Sequence, residues 1–175
     1  MALSPYTKNT LSASYGFRED QTHVQARAKA AAADADFITA GSVVRMTNAY
    51  EFGAGVGTDK VMPMFVFSRA DEADTSGLVG PSPHDELDVW SGFDIPGDLL
   101  ALVGNSGYEL VSTQYVDAAY PPNTPLTSAK TTDDRGKLVA GIIGTNMIVG
   151  LVSGGITDNG HGFSALAFYT QPIFP

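Results

Sequence analysis

The fold is decided by residues 137–174, KLVAGIIGTNMIVGLVSGGITDNGHGFSALAFYTQPIF. Isoleucine, valine and aromatic residues dominate this stretch, and glycine interrupts it at short intervals. Apolar runs of this kind, bounded by turn residues, are typical of β-strands. Asp158-Asn159-Gly160 is a strong turn signal, so we predict that NMIVGLVSGG and FSALAFYTQPIF form a hairpin.

The same region contains a stretch that imitates a membrane span. No charged residue occurs from Leu138 to Thr157. However, Gly144-Thr145-Asn146 and Ser153-Gly154-Gly155 interrupt the stretch, which favours two short buried strands joined by a turn. We therefore predict that the membrane is not a partner of this chain.

Strand patterns continue upstream of this region. FITAGSVVRMTNAYEF (37–52) and KVMPMFVFSR (60–69) are rich in β-forming residues, and the second is apolar on both faces. Asp98–Val103 and Tyr108–Thr113 flank Gly-Asn-Ser-Gly, which predicts a second hairpin. AYPPNTPLTSAK (119–130) is interpreted as a stiff proline-rich connector. The spacing of short strands and turns predicts an all-β protein, a compact β-barrel- or sandwich-like domain.

The N-terminal region has a different composition. Alanine dominates QARAKAAAADAD (25–36) and gives it high helix propensity, but a helix there would have no apolar stripe to bury. We therefore divide the chain into an extended, partly helical N-terminal arm (1–36) and a β domain (37–175). An arm without a core would fold only on docking, so deletion of residues 1–33 is expected to leave a stable oligomer that no longer binds its target.

Composition restricts the partners. The chain has 175 residues, of which 43% are hydrophobic, so it can form a core. Ten basic and nineteen acidic residues give a net charge of −9, which disfavours nucleic acid as a partner. The absence of cysteine excludes disulfides, thiolate metal sites and cysteine nucleophiles.

The histidines lack the partners that chemistry requires. His23, His84 and His161 show none of the short fixed spacings of zinc ligands. Ser82, His84 and Asp85 bring three suggestive residue types together, but neighbours in a proline-flanked run cannot turn their side chains onto one another.

Two other patterns fail in the same way. In FGAGVGT (52–58) the third glycine comes one residue early and a β-like run follows instead of the helix that binds phosphate. In the acidic loop Asp71–Asp74, Ala73 occupies a position where an EF-hand loop needs an oxygen ligand, which leaves a loosely bound surface calcium as the alternative, because close carboxylates attract a cation. We predict no catalytic, metal-binding or cofactor-binding residues, and we predict that the chain is not an enzyme.

The order of these segments resembles the capsid decoration, or cement, proteins of tailed bacteriophages. The resemblance covers about residues 37–175 and is carried by residues 38–52, 60–69, GDLLALVGNSGYELVSTQYVD and YPPNTPLTSAKTTDDRGKLVAG, followed by the glycine-punctuated C-terminal block. It implies a β-barrel-like domain on the outer surface of the virion head, assembled in the host cytoplasm. It further implies a symmetric oligomer that clamps neighbouring major capsid subunits, with a terminal arm along the shell.

Two apolar segments predict self-association. MPMFVF and FYTQPIFP place apolar residues on both faces of what we interpret as edge strands, and such edges need cover. We predict a closed homo-oligomer, a homotrimer in preference to a dimer. The predicted contacts with the capsid or with other subunits are apolar residues of the arm, of MPMFVF and of the C-terminus: Tyr6, Leu11, Tyr15, Phe17, Met62, Met64 and Phe174.

A different function class remains open. A β-rich carbohydrate- or receptor-binding module of a fibre or cell-surface assembly would read a glycan with exposed aromatic residues. Trp90 is the only tryptophan, whereas stacking on sugars usually recruits more. An unrecognised β-barrel enzyme is the third alternative.

Overall fold

The protein is described by a computed structural model that covers residues 11–13, 22–57, 61–69, 99–104, 107–131, 133–158 and 162–175. Within these residues the regular structure is β-strand, with one short 3-10 turn at Ala35–Phe37 and no α-helix. The all-β prediction is confirmed. The strands are β1 Leu11–Ala13, β2 Thr22–Ala30, β3 Val43–Asn48, β4 Glu51–Ala54, β5 Met64–Arg69, β6 Leu99–Val103, β7 Glu109–Ser112, β8 Pro125–Ser128, β9 Leu138–Ala140, β10 Ile148–Asp158 and β11 Ser164–Ile173.

The strands form two sheets. One has six strands in the order β1-β7-β11-β10-β8-β9. The other is a closed barrel in the order β2-β4-β3-β5-β6, because β2 pairs in parallel with β4 and antiparallel with β6. Closure leaves the barrel without a free edge strand, which is one way in which β proteins avoid edge-to-edge association.

Two apolar cores hold these sheets together. One core is built from barrel side chains, among them Val44, Phe52 and Val66. The other combines barrel residues such as Phe65 with residues of the six-stranded sheet such as Phe168, and these two rings lie 5.3 Å apart between centroids. In β5, the adjacent residues Phe65 and Val66 therefore enter different cores, as expected from the alternation of side chains along a β-strand.

This arrangement removes the sequence-based reason for self-association. Strand β5 lies between β3 and β6, and β11 lies between β7 and β10, so neither is an edge strand. Phe65 and Val66 point to different cores, and both are fully buried within the chain itself. The interpretation of MPMFVF and FYTQPIFP as edge strands is wrong, while the homo-oligomer stays a prediction.

The prediction that the N-terminal arm is partly helical is also wrong. Residues Thr22–Ala30, which include half of the alanine-rich run, form a strand that bonds to two neighbours in the barrel. Helix propensity is a weak preference that tertiary context overrides, and this segment has no apolar stripe to stabilise a helix. The boundary at residue 36 stays a prediction, although β1 and β2 precede it and pair with strands that follow it.

The predicted hairpins have different outcomes. Strands β10 and β11 pair antiparallel, so the C-terminal hairpin is confirmed, with a register shift between Val152 and Gly155. The hairpin over residues 104–107 is wrong, because β6 belongs to the barrel and β7 to the six-stranded sheet. A glycine-rich turn indicates that the chain bends, but it does not specify which strands will pair.

The remaining segments refine the sequence interpretation. The uncharged stretch of residues 138–157 forms β9 and most of β10 with the loop 141–147 between them, which confirms two strands separated by a turn. The connector of residues 119–130 contains β8, which pairs with both β9 and β10. Pro125 is tolerated because it is the first residue of that strand. Among the described residues, no helix is both long and apolar enough to cross a bilayer.

Candidate interaction surface

The predicted contact residues of the N-terminal region can be placed only in part. Leu11 lies in β1, opposite Ser112 of β7, and is 4% exposed within the core that the two sheets share. Leu11 therefore belongs to a core, which contradicts the expectation that the N-terminal arm has no core of its own. The other three lie outside the described residues: Tyr6, Tyr15 and Phe17.

The two predicted methionines lie where β5 begins. Met62 is 48% exposed, and Met64 is partly buried against the barrel core. Strand β3 pairs antiparallel with β5 through Val43–Phe65 and Val44–Met64, so Met46 of β3 and Met62, which precedes β5, lie beyond the same end of this pairing. Met46 is also 48% exposed. The sequence pattern does not indicate Met46, because only the pairing of β3 with β5 relates it to Met62.

The tip of the β3–β4 hairpin adds an aromatic residue to this end of the barrel. Tyr50 is half exposed and adopts a positive φ of 63°. We call Met46, Tyr50, Met62 and Met64 the methionine end of the barrel. The four residues belong to β3, β5 and the segments that adjoin them.

Polar contacts hold this hairpin in place. Lys29 of β2 lies 3.4 Å from the Glu51 carboxylate, which also accepts a hydrogen bond from the Asn48 amide at 3.2 Å. The Asn48 hydrogen bond, followed by Lys29, lowers the pKa of Glu51. Because the folded state favours the charged carboxylate, this contribution to stability is present at neutral pH and is lost as the pH falls through the lowered pKa.

The glycine-rich loop after β4 is filled by the protein itself. Gly55 has a φ of +78°, and a Cβ atom there would lie 2.8 Å from the Ser128 hydroxyl. The same hydroxyl accepts a hydrogen bond from the Val56 amide at 2.7 Å, so this backbone donor is occupied. This close approach explains the glycine without a phosphate ligand and joins the barrel to β8 of the other sheet.

An ion pair strengthens the same junction. Arg135 contacts the Asp34 carboxylate and lies 5.2 Å from the centre of the Phe37 ring. The other carboxylate oxygen of Asp34 accepts a hydrogen bond from the Ala54 amide at 3.1 Å. Asp34 thus has partners from two parts of the chain, as expected for a structural carboxylate with limited exposure.

Tyr120 ties the segment after β7 to the six-stranded sheet. Its hydroxyl donates to the Val116 carbonyl at 2.6 Å and lies 3.4 Å from the Leu138 carbonyl. Burial raises the pKa of Tyr120, with smaller contributions from Tyr115 and Asp117.

We expect Tyr120→Phe to lower the free energy of unfolding by about 1 kcal/mol at pH 7, because the Val116 carbonyl loses its donor. The folded state favours the neutral phenol, so the wild type should lose this stabilisation as the pH rises above about 10, the ordinary tyrosine pKa. Urea unfolding at pH 7 and at alkaline pH measures both effects. An equal difference between wild type and variant at every pH would contradict the second.

The sites rejected from the sequence are only partly described. Within the described ranges, no group of three or more His, Asp or Glu side chains is arranged to hold a metal ion. His84, His161, Ser82 and the Asp71–Asp74 loop lie outside those ranges.

The second predicted apolar position is at the C-terminus. Phe174 follows β11 and is 39% exposed. It belongs to the six-stranded side of the molecule, whereas Met62 and Met64 belong to the barrel. Among the described residues, the predicted contacts therefore come from segments of both sheets.

No known protein family, curated protein or solved structure matches this chain.

Proposed function

We propose that this chain is a capsid decoration protein of a tailed bacteriophage. In this role it binds the outer surface of the phage head, contacts the major capsid protein and stabilises contacts between neighbouring capsid subunits. The observation that carries the proposal is the methionine end of the closed barrel, in which Met46, Tyr50 and Met62 are exposed and Met64 is partly buried. The segment order that resembles cement proteins supports the same proposal.

The chemistry of the methionine end suits a contact between proteins. A contiguous exposed apolar patch on the surface of a domain marks a site of interaction with another molecule. Methionine side chains are unbranched and polarisable, so Met46 and Met62 can adapt to irregular surfaces.

The stability of the fold agrees with a place on the outside of a particle. The chain has no cysteine, so its stability rests on packing and hydrogen bonds. The closed barrel and the core shared by the two sheets provide that packing. The net charge of −9 also argues against the packaged nucleic acid as the binding partner.

A binding assay with Met62→Asp tests the proposal. The probe is a shell assembled from the major capsid protein encoded in the same genome, without this protein. We expect Met62→Asp to weaken binding at least tenfold, about 1.4 kcal/mol, because a carboxylate would lose its hydration on contact. Cosedimentation over a range of protein concentrations measures the change.

Two control variants complete this assay. Met62→Leu keeps the apolar side chain and should bind like the wild type. Ala119→Asp places the same charge at another exposed position and should also bind like the wild type. Equal binding by Met62→Asp and wild type would remove the methionine end from the contact.

The alternative function, a carbohydrate-binding module, has one structural feature in its favour. Tyr50 and Tyr169 are both about half exposed, as aromatic residues that stack on sugars must be. They belong to different sheets, so a sugar-binding site that used both would have to span the two sheets. Binding to a glycan array that is lost in Tyr50→Ala, with no binding to shells, would favour this alternative.

A further inference from the structure

The C-terminal part of the chain is almost free of charge. From Leu138 to Pro175 the only Asp, Glu, Lys or Arg residue is Asp158, although the whole chain carries nineteen acidic and ten basic residues. This part forms β9, β10 and β11 of the six-stranded sheet. Surfaces of soluble domains normally carry charged residues of both signs.

The same part also exposes most of the large apolar side chains. Five of the eight large hydrophobic residues that are exposed in the described ranges belong to it: Ile142, Ile143, Ile156, Tyr169 and Phe174. Depletion of charge together with exposed apolar and aromatic residues is the composition of the centre of a protein–protein interface.

The loop between β9 and β10 presents the most exposed of these residues. Ile142 and Ile143 are 67% and 56% exposed. The Ile142 amide donates to the side-chain oxygen of Asn146 at 2.8 Å, and its carbonyl accepts the amides of Thr145 and Asn146 at 3.1 and 2.9 Å. Gly144 provides the positive φ of 84° that the turn requires.

The base of this loop is fixed as well. The Gly141 amide donates to the Pro125 carbonyl at 2.8 Å, and the Thr127 hydroxyl donates to the Met147 carbonyl at the same distance. The loop is therefore preorganised, and two isoleucines held in this way lose little conformational freedom when they are buried by a partner.

We infer that the Ile142–Ile143 loop is the centre of a contact between copies of this chain. A section almost free of charge suits a second copy of this chain as the occupant. A second copy carries the same charge of −9, so its approach is opposed wherever acidic residues face each other. The part that contains this loop is the section where two such chains can meet with the least repulsion and with apolar groups to bury.

This inference is independent of shell binding. It concerns association of the free protein in solution, whereas the proposed function concerns Met62 and a shell. The homo-oligomer predicted from the sequence thereby receives a different basis, since the strands on which that prediction rested are not edge strands.

Sedimentation velocity of the full chain tests the inference. We expect the wild type at about 10 µM to sediment as an oligomer and Ile142→Asp/Ile143→Asp to sediment as a monomer. The matched control is Met62→Asp, which places a charge on an exposed apolar residue of the barrel and should leave the oligomer intact. A monomeric wild type, or an oligomer that persists in the double variant, would overturn the inference.

A second measurement covers the case in which the double variant does not fold. Because the chain has no cysteine, Ile143→Cys creates a single thiol. Its alkylation should be at least tenfold slower at a concentration where the protein is associated than after dilution to the monomer. Met62→Cys is the control and should react at the same rate in both states. Equal rates for Ile143→Cys in the two states would also overturn the inference.

The two assays separate the failures. Loss of shell binding in Met62→Asp with an intact oligomer supports both proposals. If the wild type forms oligomers that do not bind shells, the self-association contact is retained and the decoration function is rejected. A monomeric wild type that binds shells through Ile142 and Ile143 assigns this loop to the shell and rejects the inference.

Discussion

Deletion of residues 1–30 is expected to abolish cooperative folding. The deletion removes β2, which bonds to β4 on one side and β6 on the other and thereby closes the barrel. It also removes Leu11 and Ala30, which are buried in the two cores. Typical domains are stable by only about 5–15 kcal/mol, so the loss of a complete strand with both of its ladders exceeds what the fold can tolerate.

Circular dichroism during thermal unfolding measures this effect. A shorter deletion of residues 1–10 is the control, because it removes none of the described strands and should leave a cooperative transition. A truncated protein that lacks residues 1–30 and still unfolds cooperatively near the wild-type temperature would show that β2 is dispensable. This expectation replaces the earlier one of a dispensable arm up to residue 33.

The substitution Phe168→Ala is expected to lower the free energy of unfolding by about 3–5 kcal/mol, the usual cost of removing a buried aromatic ring. Phe168 is fully buried and lies against Phe65 between the two sheets. The sheets are packed around this pair, so the cavity cannot close without a shift of one sheet against the other.

The adjacent residue provides the control for this substitution. Tyr169 is of similar size, lies on the same strand and is 51% exposed. Tyr169→Ala should change the free energy of unfolding by roughly 0.5 kcal/mol or less, as exposed substitutions usually do. Urea denaturation of both variants gives the comparison. Equal losses in the two variants would contradict the division of β11 into a buried and an exposed face.

The sequence contained the local features of this fold. The β-branched runs and the Asp158-Asn159-Gly160 turn correctly predicted the β10–β11 hairpin, because its strands are adjacent in the chain. The glycine and asparagine residues within 141–147 correctly marked the loop between β9 and β10. Such features depend on backbone preferences within a few residues, and these are written directly in the residue types.

The long-range pairings could not be predicted in the same way. Strand β2 is rich in alanine, and its partners β4 and β6 are separated from it by about 20 and 70 residues. Its strand conformation depends on hydrogen bonds to those partners, which no local propensity encodes. For the same reason the turn over residues 104–107 was interpreted as a hairpin, although its flanking strands join different sheets.

The candidate surface was predictable to a similar extent. Met62 and Phe174, which the sequence analysis named as contact residues, are both exposed, and their role in a contact stays a prediction. The grouping of Met46 with Met62 was not predicted, because only the pairing of β3 with β5 relates these two residues. The exposure of Ile142 and Ile143 was also missed, since the run LVAGIIG looks like a buried strand until the loop is seen to turn at Gly144.

Cosedimentation of the full chain with shells of the major capsid protein from the same genome tests the proposed decoration function most directly. The account predicts saturable binding at a fixed ratio of this protein to capsid subunits, and a wild-type affinity at least tenfold higher than that of Met62→Asp. Wild-type protein that remains in the supernatant at every concentration, while it is folded, would contradict the account.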